Sequence, residues 1–177
     1  MRALARGLAA LLDGLARGAL AVSAAALLAM TVVVAWGVFG RFVLNDTPAW
    51  AEASALLLLG WVILGAAALG VRENFHMGFG SLRDALPAAL AGALDAASDA
   101  VVAGFGLVMS WYGTELAVAV WNATLPTLGL PGAVEYAPLA LGGLLIALFG
   151  VERLAVRAAT GHAPAAAAAD HPILTDA

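Results

Sequence analysis

Four long apolar runs separated by short polar stretches set the pattern of this chain. The first, Ala19 to Gly40, carries no charge. As a helix it would be about 33 Å long, enough to cross the hydrocarbon core of a bilayer. The second, Ala53 to Val71, would reach roughly 28 Å at the same rise. The third runs from Ala100 to about Trp121 and is interrupted only by Glu115. The fourth, Tyr136 to Val151, is shorter, but Glu152, Arg153 and Arg157 can snorkel and extend it. A transmembrane barrel would alternate apolar and polar residues, so these runs predict helices. With their flanks, the four spans cover residues 18–40, 50–71, 98–121 and 136–157 of a membrane domain at 18–157.

The flanks carry patterns of their own. Arg2, Arg6, Asp13 and Arg17 fall within about 60° of one helix face, with leucine and alanine over the rest. Residues 1–17 therefore predict an amphipathic helix lying on the membrane surface before turning into the first span, with an ordinary charged flank as the alternative. Between spans two and three, Ser81 and Asp84 have the spacing of a capping box with Asp in place of Glu or Gln, and Pro87 should break or kink the segment. Residues 158–177, with Pro164 and Pro172 and no sustained period, predict a flexible cytoplasmic tail. The fold class expected is an all-α integral membrane protein with four transmembrane helices and an N-terminal interfacial amphipathic helix.

Composition agrees. Of 177 residues, 63% are hydrophobic and 11% charged, and the mean hydropathy is +0.96. A soluble domain of this length could not hide so much apolar surface. The absence of cysteine excludes disulfides, thiolate metal sites and thiol nucleophiles. The basic residues are all arginines in no block, which gives nucleic acid no footprint. Their placement sets direction. Arg2, Arg6, Arg17, Arg72, Arg83, Arg153 and Arg157 fall on one side and only Arg41 on the other, so both termini should be cytoplasmic. The first apolar run is longer than the core of a cleavable leader, which makes it a span.

Candidate chemistry is sparse. Spans one, two and four have no ionisable residue at mid-depth. Asp95 and Asp99 share a helix face near the cytoplasmic mouth of span three, where water and headgroups could solvate them. Glu115 lies about 9 Å along the helix from Trp121, an outer-interface anchor. It could be a solvated structural carboxylate or a coupling or gating group. His76 falls in a cytoplasmic loop and His162 and His171 in the tail, so no pair could hold a haem for a redox-enzyme anchor. There is no phosphate loop and no nucleophile–base spacing, so an enzyme is not expected. Nor is there the internal repeat or broken helix of a self-sufficient transporter. The remaining readings are a helper of another membrane protein, or a stand-alone small exporter or channel using Glu115.

Surfaces for helix contact are easier to find. Trp50, Ser54, Trp61, Gly65, Ala68 and Arg72 fall within about 60° on span two. Span three has Gly92, Ala96, Ala100 and Gly104 at intervals of four, besides Gly106, Ser110 and Thr114; span four has Gly143 and Ala147. Contacts within the bundle are the favoured reading of these small residues. Between spans one and two, RFVLNDTPAWAE places Arg41 and Glu52 on either side of one turn, on the periplasmic side. Both suit the helix ends they occupy. Arg41 is expected to pair with Glu52 or Asp46 and brace the two spans, with Trp50 anchoring at the interface; two independent helix-end charges are the alternative.

RFVLNDTPAWAE followed by LLLLGWVILGAAALGVRENFHMGFGSL resembles the small membrane subunit of tripartite ATP-independent periplasmic (TRAP) transporters, the DctQ-like family. The carrying positions are Arg41, Phe42, Asn45, Trp50, Glu52, Leu64 to Ala67, Arg72 and His76, and later WYGTELA and the Gly-Leu-Pro…Tyr-Ala-Pro-Leu-Ala-Leu-Gly approach to span four. Ala53 stands where the family often has a second acid, and Ala133 and Val134 stand where it often has a tryptophan. The resemblance implies a scaffold subunit in the bacterial inner membrane, without a cofactor of its own. It implies two partners besides the lipid bilayer. One is a large permease subunit carrying the sodium and substrate sites; the other is a periplasmic binding protein delivering an organic acid. Arg41, Asn45, Trp50, Glu52, Trp61, Arg72, His76 and Glu115 are the candidate structural or subunit-interface residues.

Overall fold

The computed structural model describes residues 2–46, 48–72 and 87–160. Four α-helices account for most of them: α1 (Arg2–Phe39), α2 (Ala49–Arg72), α3 (Ala88–Ala119) and α4 (Ala133–Thr160). A single turn of π-helix, Gly40–Leu44, ends α1. The helices are long and apolar enough to cross a membrane at Ala10–Leu44, Ala49–Arg72, Leu90–Ala119 and Ala133–Ala158. The all-α, four-span architecture is therefore the one expected. Pro87 lies immediately before α3, where its fixed φ opens the helix and its carbonyl accepts the amides of Leu90 and Ala91. His76, the Ser81 and Asp84 spacing and the tail beyond residue 160 lie outside the described residues.

Three boundaries differ from expectation. The chain does not turn near Arg17; α1 is one helix of about 57 Å. The reason is packing. Leu12 and Ala16 are buried with Ala68 and Val71 of α2 and Ile146 and Phe149 of α4, so this stretch of α1 finds a protein surface for its apolar side. Spans three and four also begin earlier than residues 98 and 136, at Leu90 and Ala133. Asp95 and Asp99 do not stop α3, because both are neutralised by partners on α4.

The main contacts run α1 to α2, α2 to α4 and α4 to α3, an open row with α1 and α3 at its edges. The tightest seam joins α3 and α4. A Cβ added to Gly106 would meet the Ala147 amide at 2.6 Å, one on Gly143 the Ser110 amide at 2.6 Å, and one on Gly113 the Ala140 amide at 2.8 Å. A Cβ on Gly150 would meet Ala103 at 2.9 Å. These residues recur at alternating intervals of three and four, which keeps them on one face of a 3.6-residue helix. The ladder at intervals of four drifts off that face. Gly92 and Gly104 have nothing within 4 Å of an added Cβ, so that part of the expectation is corrected, while Gly106, Ser110, Gly143 and Ala147 serve as foreseen. On the other seams, Gly65 admits the Ser23 hydroxyl, which donates to the Trp61 carbonyl at 3.3 Å. Gly142 admits Leu64, and Gly60 admits Pro138.

Candidate functional site

Charge gathers at the end of the row where α1 begins and α2 and α4 finish. Asp95 and Asp99 are one turn apart on α3, and Arg153 and Arg157 one turn apart on the antiparallel α4, so a single register satisfies both pairs. Arg157 donates from Nε and Nη2 to Asp99 Oδ2 at 3.1 and 2.9 Å, and from Nη1 to Asp95 Oδ2 at 3.0 Å. Arg153 Nη2 lies 2.9 Å from Asp99 Oδ1. Its Nη1 donates to the Val71 carbonyl at 2.7 Å, capping one of the last free carbonyls of α2. Arg72 pairs with Asp13 of α1, lies 3.7 Å from Glu152 of α4, and stacks its guanidinium 5.5 Å from the centre of the Phe149 ring. All four helices thus contribute to one ionic node.

Burial makes the pairing obligatory. The Asp99 side chain is 6% exposed and that of Arg157 11%. Charges so far from water are costly unless each is hydrogen-bonded to an opposite charge. Arg72 and Arg157 also occupy the last turns of α2 and α4, where the helix dipole favours cations. Asp99 was expected to be solvated by water and headgroups; instead it is enclosed by two arginines. Sequence reasoning missed this node, although the matched spacing of Asp95/Asp99 and Arg153/Arg157 was the signal for it. It did single out Arg72, whose partners are now Asp13 and Glu152.

At the opposite end the chain turns twice. Asn45 closes the π-turn in the left-handed region, φ 52° and ψ 28°, with its amide on the Gly40 carbonyl. The Asp46 amide donates to the same oxygen at 3.0 Å. Gly40 is pressed by the Asp46 carbonyl at 2.8 Å and by Pro48 at 3.0 Å from where a Cβ would lie. In the second turn Thr124 bridges to Pro131, Leu125 donates to Leu130 at 2.8 Å, and Gly129 adopts φ 64°.

The sequence-derived brace is corrected here. Arg41, Asp46 and Glu52 are exposed, and among the described ion pairs none includes them. The backbone, through Gly40, Asn45 and Pro48, sets the turn without a salt bridge. Trp50 is exposed at its edge, and Glu115 is exposed on α3. Trp61 instead lines an apolar groove of about 360 Å³ between α1, α2 and α4, with Gly14, Gly18, Gly65, Pro138 and Gly142 among its walls. Among the described residues, no three His, Asp or Glu side chains converge as a metal set.

Comparison with known proteins gives two matches. Residues 30–160 match the family model described as "Tripartite ATP-independent periplasmic transporters, DctQ component". Over 62 residues the chain is 34% identical to the C4-dicarboxylate TRAP transporter small permease protein DctQ of Vibrio cholerae serotype O1. That match covers 35% of this chain and 27% of the relative. The family match contains α2, α3, α4 and the last quarter of α1, and with them every member of the ionic node except Asp13.

Proposed function

The chain belongs to the DctQ component family of tripartite ATP-independent periplasmic transporters, and from that premise we propose that it is the small permease subunit of such a transporter. In this reading it scaffolds a large, sodium-coupled permease subunit. That partner takes up an organic acid delivered by a periplasmic binding protein. Orientation follows the arginines, with the ionic node and both termini cytoplasmic, the Arg41 turn periplasmic, and the spans in the bacterial inner membrane.

One observation supports the scaffold role above the others: the arginines enclosed within the described bundle are already engaged. Arg72, Arg153 and Arg157 are held by carboxylates of the chain itself, while the groove is lined by apolar and small residues. A dicarboxylate needs unspent cations or hydrogen-bond donors to replace its hydration. Solute recognition therefore belongs to the other subunits. The open row suits a fixed wall, because two of its edges are helices with large exposed apolar side chains rather than the sides of an enclosed passage. Glu115 lies on the outward side of α3, away from the α4 seam, and so lines no passage through the chain.

The experiment is co-expression with the large permease and reconstitution into sodium-loaded and sodium-free liposomes. The expected result is a stable complex and sodium-dependent uptake that needs both chains and the binding protein. Uptake by the large subunit alone at the full rate, with no complex recovered, would refute the scaffold reading. Flux through this chain alone, abolished by Glu115→Gln, would instead make it an exporter or channel.

A further inference from the structure

The two edge helices of the row differ in what they expose. Between Arg17 and Arg41, α1 presents only uncharged residues, among them exposed Leu28 and Val32; acyl chains are an adequate solvent for that face. The outward face of α3 is different. Phe105, Val108, Trp111, Tyr112, Glu115 and Val118 are all exposed and fall in a sector of about 140°, opposite the seam that Ala103, Gly106, Ser110 and Gly113 make with α4. An aromatic and apolar stripe thus carries one carboxylate.

That carboxylate is poorly placed for lipid. Asp99 and Glu115 are about 24 Å apart along the helix, less than the roughly 30 Å of a hydrocarbon core. With the buried Asp99 node at one boundary, Glu115 falls inside the other. It also sits in the last turns of α3, at the negative end of the helix dipole, which disfavours an anion. Among the described residues, no cation forms an ion pair with it. Arg41 is the arginine of this end, but it lies at the end of α1, a helix that has no main contact with α3.

We propose that this face of α3 is the docking surface for a transmembrane helix of the large permease subunit, and that the docked helix presents a basic side chain opposite Glu115. The proposal rests on the scaffold reading above and names the surface by which it operates. The exposed Trp111 and Tyr112 supply contact area and hydrogen-bonding tips, and Gly104, open on the same face, lets a backbone approach. The charge pair fixes the depth of the partner helix in the membrane, as a polar group fixes register in helix pairing.

The test uses the full chain co-expressed with its large permease. A photo-crosslinking amino acid is placed at Val108 or Val118 on α3, and at Leu28 on α1 as the comparison. Adducts with the large subunit are expected from Val108 and Val118 and not from Leu28. Glu115→Gln should lower the recovery of the complex about tenfold, with the thermal unfolding of the isolated chain unchanged. Reversal of the facing basic residue to Glu should suppress a Glu115→Arg defect. Adducts from α3 with lipid or with a second copy only, in preparations where the wild-type complex forms, would overturn the surface and leave the scaffold reading standing. Undiminished recovery of Glu115→Gln would overturn the charge pair. Failure of the wild-type chain to form any complex would overturn both readings.

Discussion

The two ends of this helix row use the same kinds of residue in opposite ways. At one end Asp13, Arg72, Asp95, Asp99, Glu152, Arg153 and Arg157 close on one another across all four helices. At the other, Arg41, Glu52 and Glu115 are exposed, and the described residues of the turn between α1 and α2 are held by backbone hydrogen bonds. The difference teaches where this chain's own fold stops. Charges that meet inside the chain complete its structure, whereas charges left open are available to something outside it.

The comparison breaks most severely at Asp99. Replacing it with alanine leaves Arg153 and Arg157 without their shared carboxylate in a buried setting, at a cost of about 3–5 kcal/mol. Thermal unfolding in detergent should show a large drop for Asp99→Ala. The more exposed Asp95→Ala should fall less, because Arg157 keeps Asp99. Equal losses from the two would mean that the node does not centre on Asp99.

The next effect belongs to the α3–α4 seam. Gly143→Val drives a side chain against the Ser110 amide and the Gly106 carbonyl, at 2.6 and 2.9 Å from its Cβ. Backbone cannot move aside as a flexible side chain would, so about 1–3 kcal/mol should be lost. Gly104→Ala, with nothing within 4 Å, is the control. It should change stability by no more than about 0.5 kcal/mol. A seam that tolerated both would not be close-packed.

These residues also show what could be seen in the chain before its structure. The spans were legible because lipid demands long uncharged runs, a local requirement. The seam was half legible. Gly106 and Gly143 stood out, but an alanine-rich chain also offers regular ladders such as Gly92 to Gly104 that face outward. The node was hidden for a different reason. Asp99 and Arg157 are 58 positions apart, and their meeting depends on the register of two antiparallel helices rather than on either segment. The continuity of α1 was hidden too, since leucine and alanine pack equally well on lipid or on Phe149.

A smaller effect is expected at Asn45. Its left-handed backbone suits Asn or Gly and penalises β-branched residues. Asn45→Gly should be near neutral, and Asn45→Val should cost about 1–2 kcal/mol. This assigns Asn45 a local duty, ending the π-turn, the structural side of the structural or subunit-interface role expected from sequence. If Asn45→Val unfolds as the parent does but fails to assemble, the contact reading returns.

The smallest effect tests the open end itself. Arg41 and Glu52 stand on either side of the turn without touching, so each should contribute little to the isolated chain. Arg41→Ala, Glu52→Ala and the double variant should each shift stability by less than about 0.5 kcal/mol, and the two single changes should add. The same cycle run on recovery of the complex separates two kinds of open charge. Additive losses there would mean that each side chain meets its own group on the large subunit. A coupling above about 0.5 kcal/mol in the complex, absent from the isolated chain, would mean that docking brings the two residues together. The brace would then exist only in the assembled transporter, formed by a partner rather than by the turn.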